Sequence, residues 1–239
     1  MELGFVETCL KGTLESKLEV AEREGLWLEL AYRGNRDLSI LDCYNVSVKT
    51  VQAHRLHTLH WLGPDLKMRE AAYRHVVRAI RIAEEIDAEN ILSVPTYGFK
   101  LVKDARDSCI RNLRGLSNET SLMILVEQLS LLRTSFLPSP FEVAALVEEV
   151  SRENVKMAVD TLHLKESGFT ASEVLDKLGE GIVEVHLRDD GSNPPGKGGM
   201  EFKKVLERSK DRLLCLEYNA STKKELLNTL AFLRSLRKI

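Results

Sequence analysis

Eight short apolar runs recur along the chain about every 30 residues, and most are followed by a stretch with helical periodicity. A strand and its returning helix take up about that length in a βαβ unit. The runs are read as strands at Leu3–Thr8, Leu26–Tyr32, Val48–His54, Asn90–Thr96, Ser121–Leu129, Val155–Thr161, Gly181–Arg188 and Arg212–Tyr218. They are continuously apolar rather than alternating, which suits parallel strands buried on both faces. Between them the spacing predicts helices over Leu14–Glu24, Asp65–Ile86, Asp104–Leu116, Pro140–Arg152, a segment ending at Leu178, Met200–Ser209 and Thr222–Leu236. Gly25, Gly115 and Gly179 read as helix stops, Ser139-Pro140 as a helix start, and Thr170 or Ser172 as the cap of the helix ending at Leu178. Arg33–Asn45 shows little periodicity and reads as mostly loop. This pattern predicts an α/β protein, a closed (β/α)8 TIM barrel, with an open doubly wound sheet as the alternative. No GxGxxG or Walker loop follows any strand, so a nucleotide-binding variant has no support. No linker or low-complexity stretch divides the chain, so one domain over residues 1–239 is expected.

Composition narrows the function. Net charge is −2, with 44% hydrophobic and 29% charged residues, so there is no overall basic field to hold a nucleic acid. Cys9, Cys43, Cys109 and Cys215 form no CxxC pair, which argues against a cysteine zinc site, and Cys9 and Cys215 read as reduced core residues. No signal peptide and no apolar run of about 20 residues is visible, so a cytoplasmic protein without a membrane partner is expected. Homo-oligomerisation is left open.

The polar residues that close the apolar runs carry the chemistry. Glu127 ends the fifth run, Asp160 the sixth (with His163 three further on), His186 the seventh (with Arg188 and Asp189), and Glu217 the eighth. A carboxylate or imidazole where a buried strand gives way to a loop is costly unless it is paired or ligates something. Singly, such a glutamate is as well explained by a salt bridge or a helix cap. In a barrel, however, the C-terminal strand ends converge on one site. Glu127, Asp160, His186 and Glu217 would then make a pocket of three carboxylates and one imidazole. That set suits one divalent metal, Mn²⁺ or Mg²⁺, with Zn²⁺ or Co²⁺ as alternatives.

These residues also carry a resemblance. Asp160-Thr-Leu-His163 followed by Glu166-Ser-Gly168 resembles the D-T-x-H…S-G motif of the xylose isomerase-like barrels. Val185-His186-Leu-Arg-Asp189 with Pro195-Gly-Lys-Gly198 and Met200-Glu-Phe202 resembles that superfamily's H-x-x-D…G-x-G-x-x-[DE]-F segment. Leu125-Val-Glu127 and Leu214-Cys-Leu-Glu217 resemble its two glutamate strands, and Ala53–His57 through Pro64-Asp65 its third strand–loop unit. The superfamily includes sugar isomerases, ketose 3-epimerases and abasic-site endonucleases. The resemblance implies a shared metal on Glu127, Asp160, His186 and Glu217, with the two glutamates as the acid/base pair. It also implies that His163 contacts substrate or a further zinc, and that His54 matches a zinc ligand of the endonucleases. Two departures count against an endonuclease. Ser93-Val94-Pro95 stands where those enzymes carry a metal-binding histidine, and Asp190–Pro195 lacks their loop histidine. Arg188 lies too close to His186 to match the epimerases' substrate arginine, and Lys197 replaces the usual acidic residue between two glycines.

His54, His57 and His60, spaced by three beside Trp61, read as a wall of the substrate pocket or as a second metal site. Lys197 between glycines could meet a phosphate in an anion nest, or be solvated. Tyr97–Lys100 is a further pocket-edge candidate, and His75 reads as a surface residue. The expected function is a metal-dependent sugar or sugar-phosphate isomerase/epimerase. Glu127 and Glu217 are its catalytic pair, and His54, His57, His163, Arg188 and Lys197 contact a small polyol, ketose or sugar phosphate. A zinc-dependent abasic-site phosphodiesterase and a non-catalytic metabolite-binding barrel are the alternatives.

Overall fold

The computed structural model describes residues 2–94 and 97–236. Eight parallel strands close into a barrel in sequence order, so the barrel reading holds and the open sheet does not. The strands are β1 (Glu2–Val6), β2 (Trp27–Ala31), β3 (Val48–Gln52), β4 (Asn90–Ser93), β5 (Met123–Glu127), β6 (Val155–Asp160), β7 (Ile182–Leu187) and β8 (Leu213–Leu216). Each lies within a predicted run except β1, which starts one residue before its run, at Glu2. The predicted end of the fourth run, Thr96, lies outside the described residues.

The helices are α1 (Leu14–Glu24), α2 (Leu56–Leu59), α3 (Leu66–Glu85), α4 (Ala105–Glu119), α5 (Pro140–Val150), α6 (Thr161–Glu166), α7 (Ala171–Leu178), α8 (Phe202–Arg208) and α9 (Lys223–Ser235). Several of their starts follow the capping chemistry in the sequence, although α2, α4 and α8 begin without a side-chain cap. Ser139 and Glu142 form a capping box on α5, Thr222 and Glu225 another on α9, and Thr170 rather than Ser172 caps α7. The second unit has only a 3-10 turn over Ser39–Cys43, as its weak periodicity implied. Gly115 does not end α4, which runs on to Glu119. The glycine sits inside the helix because a Cβ there would lie 2.7 Å from the Tyr73 hydroxyl of α3.

One apolar core fills the space between the barrel and its helices. Inside the barrel the packing is divided. Leu92, Leu125 and Ala158 form a small apolar plug on β4, β5 and β6. Elsewhere the interior is polar: Glu29, Thr50, Gln52, Asn90, Glu184 and His186 are all buried. A barrel interior is usually filled by branched aliphatic side chains, so this polar content needs a reason beyond packing.

Candidate active site at the C-terminal strand ends

The site is built where β5 to β8 end. Register aligns Asp160 with His186 and His186 with Cys215, and the Glu217 amide donates to the Leu187 carbonyl at 3.2 Å. Neighbouring strands therefore deliver their last polar residues at one level. Ligating atoms of Glu127, Asp160, His186 and Glu217 all lie within 4.8 Å of one another. His186 Nδ1 is 3.3 Å from Glu127 Oε1 and 3.2 Å from Glu217 Oε2. An ion holding ligands at about 2.1 Å sets them about 3.0–4.2 Å apart, so the spacing fits. Glu127 Oε1 and Asp160 Oδ2 are buried and make no well-directed hydrogen bond; each instead faces a nitrogen of a basic side chain, His186 Nδ1 at 3.3 Å and Arg188 Nε at 2.8 Å. The donor set and its spacing thus fit one divalent ion.

Asp160 has two tasks. Its Oδ1 accepts the amides of Leu162 and His163 at 2.8 and 3.0 Å and so starts α6 directly off β6. Thr161 Oγ1 donates to the Arg188 carbonyl at 2.7 Å and accepts from the Arg188 amide at 3.0 Å, pinning the ends of β6 and β7 together. These bonds account for the Asp-Thr pair in structural terms.

Arg188 enters the site rather than its rim. Its Nε lies 2.8 Å from Asp160 Oδ2, and its Nη2 lies 3.6 Å from Glu217 Oε2 and 2.8 Å from His163 Nε2. Burial and the charges of Arg188 and Arg133 push His163 down to about 3, so it is a neutral imidazole whose Nε2 accepts from the guanidinium. His163 stands beside the cluster without joining it. Burial opposes the ionised form of Glu217, but Arg188 and His186 together hold it well below the usual carboxylate range. Burial raises Glu127 and Asp160, although His186 and Arg188, respectively, pull against it. His186 sits well above an ordinary histidine: burial disfavours its charge, but Glu29 and Glu217 overcome that.

His186 thus keeps its proton at neutral pH in the metal-free chain, whereas a ligating Nδ1 must lose it. Divalent-ion binding is therefore expected to tighten as pH rises and to release a proton. Titrations in buffers of different ionisation enthalpy, from about pH 6 to about pH 8, measure both effects. An affinity that does not change with pH would contradict the assignment of Nδ1 as a ligand.

Beneath this cluster lies a second set that the strand-end reading missed. His186 Nε2 is 3.0 Å from Glu29 Oε2 and 3.1 Å from Glu184 Oε1. Thr50 Oγ1 donates to Glu184 Oε2 at 2.6 Å, and Asn90 Nδ2 donates to Thr50 Oγ1 at 3.3 Å. Both glutamates have no exposed surface. The signal was present in Trp27-Leu-Glu29-Leu-Ala31 and Val183-Glu184-Val185, where a carboxylate stands inside an apolar run and needs a buried partner.

The remaining predicted contacts divide. His54 is half-buried and pushed down to about 4 by burial and by Arg33 and His57, and it feels the Glu217 charge. Its ring lies 5.6 Å from that of His57, which packs edge-on to Tyr97 at 5.7 Å. Burial raises the Tyr97 hydroxyl, and the charges of Glu127 and Glu217 raise it further, so this side chain borders the site. His54, His57 and His60 form no metal-binding cluster among the described residues. His75 is not a surface residue: it is half-buried, with its ring 5.0 Å from Tyr32 and its Nε2 against the His54 carbonyl.

The loop after β7 uses its carboxylates and amides on itself. Asp189 turns away from the cluster and accepts the amides of Asp190, Gly196, Gly198 and Met200. Asp190 takes the Gly199 amide. The glycine amides that would make an anion nest are already used by the chain's own carboxylates, and Lys197 is solvent-exposed. A side chain at Gly198 would place its Cβ 2.4 Å from Asp189 Oδ1, which is why glycine stands there.

A closed (β/α)8 barrel with a carboxylate–histidine cluster at its C-terminal mouth is the architecture of barrel enzymes. The chain belongs to the xylose isomerase-like TIM barrel family, whose model matches residues 38–236. Among curated proteins it is similar to a D-psicose 3-epimerase of Enterocloster bolteae, 26% identical over 109 residues. That match spans 44% of this chain and 36% of the relative, so the chain aligns with only about a third of that enzyme's length. Among solved structures it superposes on D-psicose 3-epimerase with D-tagatose from Clostridium cellulolyticum, with a TM-score of 0.80 and 14% identity over 99% of each chain. It also superposes on an AP endonuclease, family 2, from Brucella melitensis, with a TM-score of 0.82 and 17% identity over 98% of each chain. At such identities the superpositions show the fold alone. Among the described residues, no helix is long and apolar enough to cross a membrane.

Proposed function

We propose that this chain is a divalent-metal-dependent epimerase or isomerase of small ketoses. The observation that carries the reading is the cluster of Glu127, Asp160, His186 and Glu217, with the two glutamates brought in from strands either side of β6 and β7. A divalent ion held by these four residues, Mn²⁺ or Mg²⁺ by donor type, supplies the charge that acidifies a C–H beside a carbonyl. A polyol bound between Glu127 and Glu217, which come from strands on either side of β6 and β7, would offer one face of a carbon to each carboxylate. One removes the proton, and the other returns it to the opposite face; a single glutamate doing both would give aldose–ketose isomerisation. His163, Arg188, His54 and Tyr97 border the cluster, with His57 packed outside His54 and Tyr97, and they offer hydrogen bonds and ring faces to hydroxyl groups. The committed amides of Gly196, Gly198 and Gly199 favour an unphosphorylated substrate. The epimerase relatives support the same class of reaction. The test is to incubate ketoses, inososes and their phosphates with the protein and Mn²⁺ in D₂O and follow the substrate by NMR. Epimerisation with deuterium incorporation supports the reading; turnover without incorporation contradicts it.

Cleavage of abasic-site duplex DNA is expected to stay at background. Val94, buried after β4, stands where an endonuclease needs a histidine ligand, and no histidine follows in the Asp190–Asn193 turn. A metal-dependent nick abolished by Asp160→Ala would overturn this expectation.

A further inference from the structure

Glu29 and Glu184 are fully buried carboxylates that the chemistry proposed above does not use. Both approach the Nε2 side of His186, while Glu127 and Glu217 approach the Nδ1 side. The imidazole is therefore a spacer between two layers of carboxylate, one at the barrel mouth and one inside the barrel. The inner layer is braced. Glu29 pairs in register with Thr50, and Thr50 with Asn90. Asn90 donates to both the Lys49 carbonyl and Thr50 Oγ1, and Thr50 Oγ1 donates to Glu184. Four strands, β2, β3, β4 and β7, thus converge on one ring nitrogen.

This bracing has a geometric consequence. A half-turn of the ring about Cβ–Cγ would put carbon atoms where Nδ1 and Nε2 now stand. In that pose the inner carboxylates would face C–H instead of N–H, deep in the barrel, where an unpaired carboxylate is expensive. The inner pair therefore selects the ring pose in which Nδ1 meets the outer cluster. The hydrogen bond made by one imidazole nitrogen sets which nitrogen is left to ligate.

We propose that Glu29 and Glu184 are positioning residues, which hold His186 Nε2–H from inside the barrel and so aim Nδ1 at the cluster of Glu127, Asp160 and Glu217. The inference rests on the metal-dependent reading above, and its test separates the two. Mn²⁺ binding is titrated calorimetrically for the wild type, for E29M/E184M, which removes both acceptors at similar volume, and for E29Q/E184Q, which keeps an acceptor oxygen at each position. The Nε2–H proton of His186 is followed by NMR in the metal-free proteins with ¹⁵N-labelled histidine, and is assigned by its loss in H186Q. Loss of such outer partners typically weakens metal binding by about 10–100-fold, and that loss is expected for E29M/E184M together with loss of the protected Nε2–H signal. The glutamine variant is expected to keep both the signal and most of the affinity, a rescue that a merely space-filling role would not require. If E29M/E184M does not fold, Thr50→Val, which removes the donor bracing Glu184, is expected to weaken Mn²⁺ binding and broaden the same signal. A folded methionine variant that binds Mn²⁺ like the wild type sinks the inference alone, as does a Thr50→Val protein unchanged in both readouts where that variant decides. A wild type that binds no Mn²⁺ sinks the metal reading and the inference with it.

Discussion

Glu127→Gln and Glu217→Gln should each lower the epimerisation rate by at least about 10²–10⁴-fold, the usual contribution of a positioned acid or base. The two substitutions keep size and hydrogen-bonding shape but remove the group that takes or gives the proton. The buried position of Glu127 and the 19% exposed side chain of Glu217 also separate their expected secondary effects. Because both are proposed ligands, metal content must be measured on the same samples, and the rate is interpreted per metal-loaded site. A two-base mechanism makes a further demand. With one glutamate gone, the other can still exchange the substrate C–H on its own face with solvent deuterium, so exchange should outlast epimerisation in at least one variant. Turnover that survives loss of both carboxylates would show that the two glutamates are not the acid/base pair.

Replacing Arg188 should have the largest effect on stability. The guanidinium is nearly buried and, with His186, faces Asp160 and Glu217. Removing one partner of a buried ionic set typically costs about 3–5 kcal/mol, because the charges left behind are under-compensated. For a chain of this size that corresponds to a fall in Tm of roughly 6–20 °C for metal-free Arg188→Met. The sign with pH follows from Glu217. Its folded-state pKa is depressed, burial being outweighed first by Arg188, so its stabilising contribution is present above the ordinary carboxylate range and is lost as pH falls through the depressed value. The deficit of the variant should therefore shrink as pH falls. Divalent metal should recover much of the loss, since an ion binding only the folded state stabilises it by mass action. It would also meet Asp160 Oδ2 without a competing guanidinium. Differential scanning fluorimetry with and without Mn²⁺ reads all three effects. A metal-free variant that melts with the wild type would show that Arg188 does not balance these charges.

The parts of this molecule legible in the sequence are those in which local pattern and burial agree. The apolar runs became strands because each is buried on both faces, and the caps at Ser139, Thr170 and Thr222 start helices where capping chemistry dictates. The convergence of Glu127, Asp160, His186 and Glu217 could be read because a parallel barrel brings all its strand ends to one mouth. What escaped depends on contacts between distant segments. Glu29 and Glu184 lie inside strands, and only the closed barrel brings both to the same imidazole. Asp189 has the motif position of a site residue, but four backbone amides claim it. Gly115 has the composition of a helix stop, yet the reason for it is a tyrosine on the neighbouring helix. The three loop histidines illustrate the same limit, since spacing alone did not decide which way each ring turns.

The polar inner layer bears on how the chain reaches its native state. Glu29 and His186 are 157 residues apart, and Thr50 and Glu184 are 134 apart. Until the early and late strands meet, Glu29 lacks His186 and Glu184 has only the imidazole of its own strand, so these carboxylates stay hydrated. A half-barrel intermediate would therefore carry water along its concave face instead of a dry apolar surface. Expulsion of that water becomes part of barrel closure, coupled to the pairing of the most distant segments, where folding is slowest. The residues proposed to order the mouth thus tie its completion to contacts between the two halves of the chain, and separated halves are expected to lack that inner layer.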